Sequence, residues 1–368
     1  MEIGGAERQV VALARGLRRG GHEVAVAVFY TGGAFEEELR AAGVPIHDLE
    51  KRGRWDLLGF MLRLGALVRK ERPDVLHSYL GGPNVFAALL KPLFPSLKVV
   101  WGIRSAMSDL SAYDRVTRMS PRLEVLASAG ADAIIANSDA ARRQAAAAGM
   151  EERKIEVISN GIDTTLFSPD LDGRARLRGE WGVPEGAPLI GMVARLDPVK
   201  NHSLFLKAAA LAAGACPSAR FVCVGDGAPE YRRALERLGL ELGLAERLIW
   251  AGRRKATSAV YSALEVAVLS SDSESFPNVV AEAMACGTPV VVTDTGDASV
   301  IVGDTGAVVP RQDPAALSAG ILGLLGRGRE QASARARSRI EQAYSEELLV
   351  ERTERVLQRV LQGELSPC

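Results

Sequence analysis

Glu274 and Glu282 frame the run Ser275-Phe276-Pro277-Asn278-Val279-Val280-Ala281, which follows a short apolar stretch ending at Leu269 and precedes Gly287. Proline suits the first turn of a helix and glycine its stop, so a helix is expected to open near Pro277 and to close before Gly287. Glu274 then stands in the loop before that helix, where a parallel strand meets its ligand. Glu282 shares a helical face with Asn278, about one turn inward. The free N–H groups of Phe276, Asn278 and Val279 point toward the same place and favour an anion or a sugar hydroxyl. One acid in such a setting is usually a solvated helix acid or a partner of the helix dipole. Two acids around a proline-bearing helix start argue for a site.

Other stretches carry weaker signals. Val224-Gly225-Asp226-Gly227 lacks the third glycine of a dinucleotide fingerprint, because Pro229 and Glu230 follow; a tight strand-to-helix turn is the better reading. Asp170-Leu171-Asp172 has the form of a metal-binding acid pair, but it follows no apolar strand and reads as a solvated loop. No cysteine pair or Cys/His cluster has zinc spacing, and no metal is expected. In the N-terminal half, His77 is read as the end of a strand with its imidazole toward a ligand, or as a core histidine bonded to backbone. Gly81, Gly82 and Asn84 open the next helix, where backbone can approach a ligand closely.

Positioning these residues requires a particular scaffold. Short β-branched runs at 24–29, 74–77, 98–101, 133–136 and 156–158 alternate with helical patterns at 6–19, 56–70, 83–93, 118–129 and 139–148. After Asn160-Gly161 a second series begins. Its strands are 189–194, 220–224, 248–251, 266–269 and 289–293; its helices are 200–213, 230–242, 256–263, 279–286 and 314–325. Such alternation, with nearly continuous apolar strands, predicts parallel sheets covered on both faces. The expected fold class is therefore α/β: two Rossmann-like, doubly wound domains, broken by a turn-rich stretch at 160–173, with ligands in a central cleft at the carboxyl ends of the strands. The expected domains are 1–160 and 161–344, with a final amphipathic helix at 345–362 in the C-terminal segment 345–368, packing back on the first domain.

The run from Glu274 to Glu282 resembles the E-x7-E signature of family 4 retaining glycosyltransferases, which have the B-type fold of two Rossmann-like domains. The resemblance covers nearly the whole chain. Gly4-Gly5-Ala6-Glu7 looks like the family's N-terminal glycine motif and Asn160-Gly161-Ile162-Asp163 like its interdomain turn. Gly191-Met192-Val193-Ala194-Arg195-Leu196-Asp197-Pro198-Val199-Lys200-Asn201 looks like its donor-phosphate segment. Val224-Gly225-Asp226-Gly227 and Gly252-Arg253-Arg254 sit where the family has them.

The resemblance implies a retaining, metal-independent transferase that uses a nucleotide-diphosphate sugar as co-substrate and no other cofactor. It implies that Glu282 binds the ribose, Glu274 touches the transferred sugar, and Arg195 and Lys200 clamp the diphosphate. Two cations there act where charge develops during transfer. The donor side would further include Gly5, Gly225, Arg253, Ser275, Phe276, Pro277, Asn278 and Val279. The acceptor side would fall to the first domain, at His77, Asn84 and Arg104. Many relatives carry Thr-x-His after the following strand; this chain has Trp101-Gly102-Ile103-Arg104-Ser105 instead. Arg104 in place of that histidine suggests an anionic acceptor, such as a lipid-linked diphosphate. Two other functions stay open: a nucleotide-sugar epimerase of the same architecture, and a non-catalytic sugar-nucleotide-binding subunit.

The chain has 368 residues, 47% of them hydrophobic, with 45 basic and 45 acidic side chains. That composition excludes global disorder, and the absence of net charge argues against nucleic-acid binding through a wide basic face. The four cysteines show no disulfide pattern, which fits a reducing compartment. No apolar run approaches the roughly 20 residues that span a bilayer. Met1 is followed almost at once by Gly4-Gly5, so no secretory leader is expected and a cytoplasmic location is. Residues 51–70 are both apolar and basic. They read either as a packing helix with snorkelling arginines or as a helix lying on an anionic membrane, which a lipid-linked acceptor would need. Only Met1, Glu2 and Ile3 precede the glycine turn, whereas a strand needs about five or six residues. The expectation is an apolar first strand upstream of Met1, of which this chain is a truncated reading.

Overall fold

The computed structural model describes residues 4–33, 35–53, 55–104, 115–327 and 329–364. Contacts divide the chain into two units, Met1–Gly161 with Glu346–Cys368, and Ile162–Ser345.

The first unit runs α1 (Gly5–Arg19), β1 (Val26–Val28), α2 (Glu36–Ala41), β2 (Ile46–Asp48), α3 (Leu57–Glu71), β3 (Val75–Tyr79), α4 (Gly81–Leu90), β4 (Lys98–Ile103), α5 (Arg115–Ser128), β5 (Ala133–Ala136), α6 (Asp139–Ala148) and β6 (Ile155–Val157). Strands β3-β4-β5-β6 form one parallel sheet and β1-β2 a separate parallel pair. Every residue of β5 is buried, as expected of a strand covered on both faces. One face carries α3, α4 and α6, which pack Phe60, Leu64, Leu90 and Ala141 around Trp101 and Ile134. On the other face Ala12 of α1 joins Val100, Ala133 and Ile135, together with Leu349, Val356 and Val360. Local chemistry sets the helix ends. Ser138 accepts from the Ala141 N–H to start α6, and Gly149, at a φ of 108° open to glycine, stops it. In α3, Phe60, Leu64 and Val68 face the core, while Trp55 just before it and Leu58 and Leu62 on it are exposed by 77%, 76% and 67%.

The second unit runs α7 (Leu171–Glu180), β7 (Leu189–Val193), α8 (His202–Ala215), β8 (Arg220–Val224), α9 (Pro229–Glu241), β9 (Leu248–Gly252), α10 (Thr257–Ala263), β10 (Val266–Leu269), α11 (Asn278–Ala285), β11 (Val290–Thr293), α12 (Ala298–Val302), β12 (Ala307–Val309), α13 (Pro314–Leu325) and α14 (Arg329–Ala343). The last helix, α15 (Glu346–Gln362), belongs to the first unit. All six strands are parallel, in the order β12-β11-β10-β7-β8-β9. The chain moves outward from β7 to β9, then returns to the other side of β7 for β10. That reversal opens a crevice at the carboxyl ends of β7 and β10, where an open α/β sheet binds its ligand.

Several elements depart from the sequence reading. The solvated loop expected at Asp170-Leu171-Asp172 is the start of α7: Asp170 accepts from the Gly173 N–H as its cap. Pro277 stands just before α11 rather than in its first turn. Helices α2, α7, α12 and α14 and strands β2 and β12 were not expected; α2, α12 and the two strands are too short for a periodic signal, and α7 and α14 lack an apolar stripe. Residues 1–3 lie outside the described residues, and the apolar strand expected upstream of Met1 lies outside this sequence.

Candidate functional site

Lys200 follows β7 and Glu274 follows β10, so the strand reversal brings together two residues far apart in sequence. The Lys200 Nζ donates to Glu274 Oε1 at 2.6 Å, and the Ser271 Oγ donates to the same oxygen at 2.7 Å. The pair is partly shielded, with side-chain exposures of 25% for Lys200 and 11% for Glu274. Neighbouring loops hold it in place. Asn201, in a left-handed conformation, caps α8 and donates its Nδ2 to the Asp272 carboxylate at 3.2 Å. Ser270 Oγ donates to the Lys200 and Asn201 carbonyls. On the far side the Thr295 Oγ accepts from the Glu274 N–H at 3.2 Å. Gly296 lies so close that a Cβ there would stand 2.6 Å from the Glu274 carbonyl oxygen. Arg195 is not part of this cluster: it pairs with Asp197 at 2.8 Å, and its side chain is 70% exposed.

Glu282 is buried within α11, and the Tyr261 hydroxyl donates to its Oε2 at 2.9 Å. Tyr261 was not singled out from the sequence. The available signal was a tyrosine in a short apolar helix, whose buried hydroxyl has to find a partner. Of the remaining donor-side residues, Ser275 and Phe276 are buried, while Asn278 opens α11 with Val279 behind it. Gly225 is required by close approach: a Cβ would meet the Ala194 carbonyl oxygen at 1.9 Å. A bridge between Leu196 and Gly227 continues this contact, so the segments after β7 and β8 leave the sheet side by side. Arg253 lies exposed just past the end of β9. His202 is fully buried with both ring nitrogens unpartnered; burial, with Lys200 nearby, lowers its pKa to about 4 and keeps it neutral. Burial pushes the Cys286 thiol up to about 12, which makes it inert. Among the described residues no group of three or more His, Cys, Asp or Glu could hold a metal ion.

In the first unit Gly5 opens α1, and the buried Gln9 one turn later clamps Gly161 through both amide atoms, at 2.9 and 2.7 Å. His77 does not end its strand. β3 continues to Tyr79, and the imidazole lies within the sheet, 4.6 Å from the Tyr79 ring. Its Nε2 has no partner, and burial first, then Arg104, lowers its pKa to about 3. Of the alternative reading, a core histidine bonded to backbone, the structure shows no bond at Nε2. Asn84 is occupied by the scaffold: its Oδ1 accepts from Ser78 and its Nδ2 donates to the Gly102 carbonyl. Arg104, by contrast, is buried at the end of β4 with its guanidinium over the Tyr79 ring. Ser105 lies outside the described residues.

Residues 3–166 match the family described as Glycosyltransferase Family 4, and residues 187–327 match Glycosyl transferases group 1. The D-inositol 3-phosphate glycosyltransferase of Thermomonospora curvata is 33% identical over 69% of this chain and 64% of its own length. That of Xylanimonas cellulosilytica is 29% identical over 92% of this chain and 88% of its own. The matches thus span less than two thirds of the first relatives, 64% for Thermomonospora curvata and 52% for Geodermatophilus obscurus. Among solved structures, Anabaena Alr3699/HepE in complex with UDP-glucose superposes with a TM-score of 0.84 at 23% identity, covering 96% of each chain. Sucrose-phosphate synthase of Thermosynechococcus elongatus gives 0.80 at 22%, covering 98% of this chain and 94% of its own. These likenesses share the fold of two Rossmann-like domains.

Proposed function

The chain belongs to the family 4 and group 1 glycosyltransferases, and from that premise we propose that it moves a sugar from a nucleotide-diphosphate donor to an acceptor hydroxyl with retention of anomeric configuration. The observation that carries this reading is the Lys200–Glu274 pair, 2.6 Å apart at the reversal between β7 and β10. A cation and a carboxylate at that crevice match the two ends of such a donor. The lysine faces the diphosphate and the carboxylate accepts from sugar hydroxyls.

In the step itself the bond from the anomeric carbon to the diphosphate oxygen breaks, and its electron pair stays with the diphosphate. A bond from the same carbon to the acceptor oxygen forms on the same face. The acceptor proton passes to the leaving diphosphate, so no strong protein base is required. Lys200, with Arg195, stabilises the negative charge that grows on the leaving group. Arg195 can swing toward it, since among the described residues an exposed contact to Asp197 is what holds its side chain. Glu282, oriented by Tyr261, accepts from the ribose hydroxyls, and the backbone by Arg253 faces the base. The donor belongs to the second unit and the acceptor to the first. The reaction proceeds without a metal ion.

The acceptor class proposed is a glycan precursor, lipid-linked or polysaccharide, met in the cytoplasm at the inner face of a membrane. The exposed Trp55, Leu58 and Leu62 at and near the start of α3 support that contact, and no helix of the described residues is long and apolar enough to cross a membrane. The test is incubation of the purified chain with nucleotide sugars and candidate acceptors, with the product's anomeric coupling read by NMR. Transfer with retention is expected. Free epimerised sugar would favour the epimerase reading, and donor binding without turnover would favour a non-catalytic subunit.

A further inference from the structure

Among the described residues, Arg104 is a buried cation without a counter-ion. The residue is only 8% exposed, yet among the described residues its hydrogen-bond partners are all neutral. Nη1 donates to the Asn160 Oδ1 at 3.0 Å, and Nη2 donates to the Tyr79 hydroxyl at 3.3 Å. Nε has no partner. Among the described residues no carboxylate lies within ion-pair distance of the guanidinium. The Tyr79 ring beneath it, 4.8 Å away, offers only a π face. Burying a charge on these terms is costly unless a partner arrives. Arginine also presents a planar fork that matches an oxyanion through two parallel bonds.

The space next to it fits such a partner. Arg104 lines a cavity of about 50 Å³ with Leu80, Gly81, Asn84 and Gly102, several times the roughly 10–15 Å³ that one water needs. The first turn of the ten-residue helix α4 borders the same cavity and adds the positive end of its dipole. Glu124 is the only carboxylate among the described lining residues. It stands against Gly81, where a Cβ would come within 2.0 Å of its Oε1, and not against Arg104. One carboxylate at the helix start therefore leaves the guanidinium unmatched.

We propose that Arg104 and the start of α4 form a subsite for a phosphoryl group carried by the acceptor. This deepens the transferase reading and rests on it for the word acceptor, but the binding of phosphate does not depend on that reading. The phosphoryl group can come from a soluble sugar or polyol phosphate or from a lipid-linked phosphate, since the guanidinium reads the same oxyanion in both.

The experiment uses the full chain with the nucleotide site first saturated by a nucleoside diphosphate, so that added inorganic phosphate reports on the first unit alone. Wild type should show a further phosphate-dependent rise in Tm, and Arg104→Gln should need at least about tenfold more phosphate for the same rise, the loss of one charge-assisted pair. Arg104→Lys, which keeps the charge and loses the fork, should fall between them and serves if the glutamine variant does not fold. Glycerol 3-phosphate raising Tm in place of inorganic phosphate would support a soluble acceptor. Co-sedimentation of wild type but not Arg104→Gln with phosphatidylcholine vesicles doped with phosphatidic acid would support a lipid-linked one. An equal phosphate response in wild type and Arg104→Gln, or none in wild type, overturns the proposal. Absence of any Tm rise from the nucleoside diphosphate itself would instead sink the transferase reading and leave the phosphate result standing.

Discussion

The two units each place a cation at the carboxyl end of a parallel strand, and they treat it oppositely. In the second unit Lys200 already holds a carboxylate, Glu274, and both keep a path to solvent. In the first, Arg104 is buried among neutral groups. A paired, partly exposed cation costs the fold little and can exchange its partner for a ligand's phosphate. An unpaired buried one is a standing cost, tolerated where the rest of the unit is stable enough to hold it. The difference teaches that the second site is balanced before its ligand comes, whereas the first, on the proposed reading, is completed by it.

The sharpest way to break the comparison is to remove the balanced cation. Lys200→Ala should lower turnover by about 10²–10³, or roughly 2.7–4 kcal/mol, the range for one lost charge-stabilising donor. Steady-state kinetics with saturating donor would show it, and full activity would remove Lys200 from the reaction. A smaller effect is expected one turn into α11. Glu282→Ala should weaken a nucleoside diphosphate by roughly 1.5–3 kcal/mol, whereas Glu274→Gln should slow transfer and spare nucleotide affinity. Calorimetry separates the two, and unchanged affinity in Glu282→Ala would count against a ribose contact. Tyr261→Phe should reproduce part of the Glu282 loss in donor KM with little change in kcat, because only an orienting bond of 2.9 Å goes.

Stability tests the comparison directly. Lys200→Met leaves Glu274 with one hydroxyl donor and should destabilise the chain by about 1–2 kcal/mol. Arg104→Met removes an unmatched charge and should leave stability unchanged or raise it by about 1 kcal/mol. Denaturant midpoints of the two variants moving in the same direction would erase the distinction.

The remaining test is pH, for which each unit supplies one histidine shielded from solvent. Burial holds His77 and His202 at about 3 and about 4, below the ordinary 6.5. As pH falls below about 6.5 the unfolded chain takes up protons that the folded chain refuses. Each histidine then subtracts about 1.4 kcal/mol per pH unit until its folded value is reached. Tm should therefore fall between pH 6.5 and 4, and His202→Asn should flatten the decline. A flat profile in wild type would mean that neither imidazole stays neutral.

Much of this arrangement was legible in advance. Strands β5, β8 and β10 lie where their apolar runs put them, and α6 and α13 start and end at the expected residues, because a capping side chain, a proline or a buried run acts within a few positions. The Glu274–Glu282 run was recognisable for the same reason. Less could be read where the signal is short or absent. His77 was placed at a strand end because the apolar run is interrupted there, yet backbone pairing with β4 carries β3 on to Tyr79. Asn84 was given to a ligand because its position at a helix start is all that the sequence shows; its amide bonds Ser78 and Gly102 while the residue lines the cavity beside Arg104. Tyr261 carries no local mark of its link to Glu282.

The sequence by itself determined the periodicity, the caps, the alternation of strand and helix, and therefore the class of fold. Only the tertiary structure decided that β10 lies beside β7, so that Lys200 meets Glu274, and that Tyr79 and Asn160 surround Arg104 with neutral groups. The reason is that helix and strand signals arise from neighbours a few residues apart, whereas these partners are brought together by crossovers whose order no local pattern encodes. The charge balance of a site is set by what the fold places around it, and it becomes visible only when the sheet order is known.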